Sequence, residues 1–115
     1  MKQLLFILFI SIVKIIPAQE QIHFYEDTAQ MKKEILSRIP IGTPIDSAKK
    51  IMIQNKFEYN DDYKNETFMY RRKEDFLLLF HDEGVIFSMN RWKVALVYKE
   101  KKLADVEVQF VIIGL

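Results

Sequence analysis

Apolar residues follow three different spacings along this chain. From Leu4 to Val13 they form one run, broken by Ser11 alone. From Met31 to Met52 they recur every three or four residues, and from Trp92 to Ile112 nearly every second residue. The middle spacing predicts two helices. Asp27 or Thr28 is placed to cap the first, which runs to about Ile39, with Met31, Ile35 and Ile39 (and Leu36) on one face. Pro40 ends it. The second starts from Ile41-Gly42-Thr43-Pro44-Ile45-Asp46. Here Thr43 is the expected N-cap, Pro44 the first helical residue and Asp46 the third, as in a short capping box. Ile45, Ala48 and Met52 (with Ile51) form its apolar stripe, Asn55 and Lys56 end it, and Phe57 folds back on the stripe. Gly42, between two prolines, allows a turn that other residues resist.

The remaining segments predict strands. Glu58 to Glu66 is polar and reads as a loop, and Thr67 to Arg71 is β-prone. Phe76 to Phe80 is a short apolar run bounded by charges, as in a buried strand. His81-Asp82-Glu83-Gly84 is the expected turn after it. Trp92, Val94, Leu96 and Tyr98, and then Val106, Val108, Phe110 and Ile112, form two alternating runs joined by Glu100-Lys101-Lys102, a hairpin. A two-residue Glu100-Lys101 turn pairs Tyr98 with Leu103 but sets Leu96 opposite Asp105, on the wrong face. Either the loop has three residues, pairing Leu96 with Val106, or a bulge near Ala104 restores the faces. The expected fold is α+β: two N-terminal helices packed on one face of a three- to four-stranded antiparallel sheet, in two layers.

With 115 residues, the chain holds one domain. Half the residues are apolar and 13% aromatic, and charge is balanced, which argues against disorder. Lys2, the apolar run and Pro17-Ala18 before Gln19-Glu20-Gln21 have the order of a secretory signal peptide. The run falls short of the ~20 residues that span a bilayer. The division expected is a signal peptide over 1–18 with cleavage near Ala18, a lead-in over 19–27 and a single domain over 28–115. Removing 1–18 takes Lys2 and Lys14 from 17 basic residues and leaves 15 against 16 acidic ones. A near-neutral domain argues against a nucleic-acid partner, which requires a basic face. The absence of cysteine excludes disulfides, thiolate metal sites, a cysteine nucleophile and lipidation through a lipobox cysteine. An exported domain without disulfides fits a bacterial periplasm or extracellular space.

This order of elements, with Ile41-Gly42-Thr43-Pro44-Ile45-Asp46-Ser47-Ala48 opening the second helix, resembles the SmpA/OmlA (BamE-type) outer-membrane assembly proteins and the β-lactamase-inhibitor-protein-like domains. Residues Val97 to Val108 look like their last hairpin. The resemblance implies a two-helix, antiparallel-sheet design and a protein-binding role. The lipid-bearing cysteine of the assembly lipoproteins is absent here, and Lys101 stands where their turn usually has glycine.

No catalytic constellation emerges. His81-Asp82-Glu83 is the densest set of metal-capable side chains, but with His23 far off it meets no ligand spacing and reads as a solvated turn. Asp61-Asp62 and Asp82-Glu83 are sequence neighbours rather than carboxyls converging across a cleft. Ser11, Ser37, Ser47 and Ser88 lie in no nucleophile-elbow context. The expected function is an exported interaction domain with no cofactor and no metal, binding a protein partner through its open sheet face. The residues expected to form that surface are Tyr59, Tyr63, Arg71, Lys93, Val97 and Glu107, since Tyr and Arg dominate hot spots. A structural envelope component akin to the assembly proteins is the alternative, and a small hydrolase or metal-binding protein using His81 is a third.

Overall fold

A computed structural model describes residues 21–59 and 74–114. The signal segment, Tyr63, Arg71 and the Thr67–Arg71 strand lie outside these residues.

Helix α1 spans Thr28–Arg38. Asp27 is its N-cap, with Oδ1 accepting from the Gln30 amide at 2.9 Å. Its predicted face is fully buried: Met31, Ile35 and Ile39 have no exposed surface. Burying a side chain of that size contributes about 1.5–3 kcal/mol.

Helix α2 spans Ile45–Gln54 and buries Ile45, Ala48 and Met52, the predicted stripe. Its start differs from expectation. Pro44 is the N-cap, at φ −53° and ψ 135°, and no side chain caps the helix. Asp46 therefore falls at the second helical position. Thr43 stands one residue too early to cap. Its hydroxyl instead donates to the Pro40 carbonyl at 2.6 Å, closing the turn that Gly42 makes possible at φ 93°. The reason lies elsewhere in the chain. The Thr43 carbonyl accepts from the Leu103 amide, and the Gly42 and Ile45 amides donate to the carbonyls of Leu103 and Lys101, all at 2.7–2.8 Å. This backbone pairing holds residues 42–45 against the last hairpin, with Pro44 bridged to Lys102, so the helix starts late. At the other end Asn55 caps α2, Lys56 turns the chain at φ 72°, and Phe57 is buried in the core.

The sheet contains β1 (Glu58–Tyr59), β2 (Asp75–Val85), β3 (Ser88–Lys99) and β4 (Lys102–Gly114), antiparallel in the order β1-β2-β3-β4. Glu58 and Tyr59, expected in a loop, pair with Phe80 and Leu79. The expected turn at His81–Gly84 is continuous strand: His81 pairs with Trp92 and Asp82 with Arg91. Reversal comes at Ile86–Phe87, where Phe87 adopts φ 66°. Charge and glycine suggested a turn, but pairing with β3 outweighs that local preference.

The β3–β4 hairpin resolves the register question in favour of the bulge. Tyr98 pairs with Leu103 and Val97 with Asp105, which leaves Ala104 as the extra residue and brings Leu96 opposite Val106. Glu100 and Lys101 form the two-residue turn, both at positive φ (54° and 64°), as a type I′ turn requires. Leu79, Trp92, Val94, Leu96, Leu103 and Val106 then face the helices in one core with Met31, Ile35 and Met52.

Candidate functional site

Strand alternation places the other side chains on the sheet's outer face. They form rows: Phe76–Val97, Leu78–Ala95–Glu107, Phe80–Lys93–Gln109 and Asp82–Arg91–Val111, while beside the bulge the Asp105 carboxylate meets Lys32 of α1 at 3.2 Å. Lys93 and Glu107 lie here as expected, half-buried, beside exposed Gln109. Val97 shares the face but is buried, only 1% exposed, in a small cluster with Leu78 and Ala95 against which Phe76 packs. It was expected as a contact residue; here it is buried within that second apolar cluster. Tyr59 also departs from expectation. It pairs with Leu79, faces the helix side and packs on the main core, with the Lys49 ammonium 3.9 Å from its ring centroid. Tyr63 and Arg71 lie outside the described residues. Of the six expected residues, the structure brings together Lys93, Val97 and Glu107.

The outer face holds one feature the sequence reading missed. Arg91 clasps Asp82 in a two-pronged ion pair, Nε donating to Oδ1 at 2.7 Å and Nη2 to Oδ2 at 2.9 Å. Its guanidinium lies 4.9 Å from the Phe80 ring centroid. Such forked pairs fix the plane of both groups. Placing Asp82 in a turn hid this pair; extending the Phe76–Phe80 strand by two residues would have found it.

On the opposite side, His81 points inward from β2. Its ring stacks on Phe24 at 4.2 Å, with Trp92 at 5.7 Å and Phe57 at 5.9 Å. Nδ1 is 2.9 Å from the Lys56 carbonyl, which can only accept, so Nδ1 carries the hydrogen in that contact. Nε2 lies 3.1 Å from Glu83 Oε2. The expected solvated turn is thus a buried ring with both nitrogens engaged. A cleft of about 420 Å³ opens beside it, lined by Gln21, His23, Gln54, Asn55 and Glu83 among others. Among the described residues, no group of three or more His, Asp or Glu side chains is placed to hold a metal ion.

The lead-in forms one wall of this cleft and is stitched down. The Ile22 amide donates to Asn55 Oδ1 at 2.8 Å, and Trp92 Nε1 donates to the Tyr25 carbonyl at 2.8 Å. The His23 amide donates to Glu34 Oε2 at 3.0 Å. Burial pushes the Glu34 carboxyl up, but the His23 amide and the Arg38 guanidinium, 3.2 Å away, outweigh it and hold the group below its usual range.

Fold and site together define a two-layer α+β domain with an open antiparallel sheet. Neither protein-family models, nor curated proteins, nor solved structures provide a match to this chain. Among the described residues, no helix is long and apolar enough to cross a membrane.

Proposed function

We propose that this chain is an exported, non-catalytic domain of a bacterial envelope that binds another protein through the outer face of its sheet. One observation carries the reading. Both described helices pack on one side of the sheet, while the other side sets aromatic and apolar groups (Phe76, Phe80, Val111) among Lys93, Glu107, Gln109 and the Asp82–Arg91 pair. An apolar centre with a polar margin is how protein interfaces are built. The signal-like order of residues 1–18 supports export. The engagement of both His81 nitrogens supports a packing role for that ring over a catalytic one. The resemblance of residues 41–48 to the assembly proteins supports a second reading, a structural envelope component; tight membrane association on fractionation would favour it.

The test is capture of partners from the native host's envelope. A partner retained by the wild-type chain should be lost when Lys93→Glu and Glu107→Lys are combined, a swap that conserves net charge, while the thermal midpoint stays within a few degrees. Undiminished capture by that variant would place the binding surface elsewhere.

A further inference from the structure

Strand β4 is an outer strand of the sheet, thirteen residues long. Its start is covered, since Lys101 and Leu103 bond to residues 42–45. Further along, the Val106 amide donates to the Asp105 carboxylate at 2.8 Å and so points away from β3. Antiparallel alternation directs the amides and carbonyls of Val108, Phe110 and Ile112 the same way. From Val108 to Gly114 the strand has no charge and no proline. Natural edge strands are blunted by lysine, proline, bulges or shortness. The only bulge of β4, at Ala104, lies at the covered end. The helix layer also stops short: Leu103 and Val106 are buried, Val108 and Phe110 half-buried, and Ile112 on the same face is 65% exposed.

We propose that two copies of this chain pair β4 against β4, antiparallel, about a two-fold axis at Phe110, joining the described strands of both copies into one sheet. Charge and bulk select this occupant and this register. With the axis at Phe110, Val108 faces Ile112 of the second copy, Gln109 faces Val111 and Glu107 faces Ile113, so no acidic side chain meets another. The even-numbered residues that point outward meet one another, as hydrogen-bonded pairs require. The two helix-covered ends then stand apart: Val106 lies four residues from the axis, so the two copies of it are about 26 Å apart. An axis at Val108 would halve that, to about one helix diameter, and crowd the two copies of α1. The exposed Ile112 becomes covered. An interface of about nine residues per copy is well below the standard size, so the pairing is weak and concentration-dependent.

Sedimentation of the protein as isolated from cells, from about 1 to 300 µM, tests this. Reversible dimers should form across that range, and Ile112→Lys should weaken them at least tenfold without altering the thermal midpoint, because Ile112 is exposed. The register has its own test, since the chain has no cysteine. Gln109→Cys mixed with Val111→Cys should cross-link to each other, at a Cα separation of ~4.5 Å, in preference to either with itself. A monomer at 300 µM, which would leave the edge to a foreign strand, overturns the proposal. So do dimers indifferent to Ile112→Lys, and so does cross-linking without preference for the mixed pair.

Discussion

The two ends of the β3–β4 hairpin are written in the same alternating code and live in different surroundings. At one end Leu96, Leu103 and Val106 are buried under the helices, and the Glu100–Lys101 turn is pinned by backbone bonds from residues 42–45. At the other, Ile112 is mostly exposed, and the neighbouring Ile86–Phe87 turn holds both side chains more than 80% in solvent. Alternation specifies which face a side chain takes. It does not specify whether anything lies on that face. Two helices of eleven and ten residues are about 15 Å long, whereas the thirteen residues of β4 extend about 43 Å. The sheet outruns the two described helices, and the surplus is where the proposed second copy has room to pair.

The largest expected effect compares equivalent truncations at the two ends. Leu96→Ala leaves a cavity in the main core and should cost about 2–5 kcal/mol in urea unfolding. Ile112→Ala, measured at concentrations low enough to exclude association, should cost less than about 0.5 kcal/mol. Similar losses at both sites would mean that the far end is packed after all.

A smaller effect sharpens the comparison of the turns. Lys101 and Phe87 both hold positive φ, which is strained for a side chain and free for glycine. Lys101→Gly and Phe87→Gly should each raise stability by about 0.5 kcal/mol, the strain relieved exceeding the entropy glycine adds to the unfolded chain. A loss with Phe87→Gly would show that its ring is held by contacts.

The smallest effect concerns the tether of the covered end. The Glu34 carboxylate, lowered in pKa by the His23 amide and Arg38, stabilises the fold above its unfolded range near 4.5, and that contribution is lost as pH falls through the lower folded value. Glu34→Gln should cost about 0.2–0.4 kcal/mol at pH 7, as for an i,i+4 ion pair, and flatten the acid limb of a stability profile. An unchanged acid limb would remove Glu34 from the account.

Which residues share a face was legible in the sequence, because helical and strand periods are local properties. Met31, Ile35 and Ile39, the Ile45–Ala48–Met52 stripe, and Trp92, Val94, Leu96, Val106, Val108 and Phe110 all take the predicted sides. The bulge was legible as one of two alternatives, because a one-residue slip would have inverted the hairpin. The candidate surface was legible only in part. Lys93 and Glu107 follow from alternation. Val97 does too, but its burial depends on Leu78 and Ala95 arriving beside it from separate positions in the sheet. Tyr59 was assigned by the polarity of its neighbours in sequence, whereas strand pairing with Leu79 turned it to the core. His81 and Thr43 share that lesson. Charge and glycine around His81 favoured a turn, and threonine before proline favoured a cap. Tertiary partners overrode both: β3 extended the strand through His81, and the Lys101–Leu103 backbone held residues 42–44 against the hairpin, so that the helix could begin only at Ile45. Periodicity is set by neighbours a few residues away. Burial, turn position and capping were decided by hydrogen bonds and contacts from segments tens of residues distant, which no local pattern encodes.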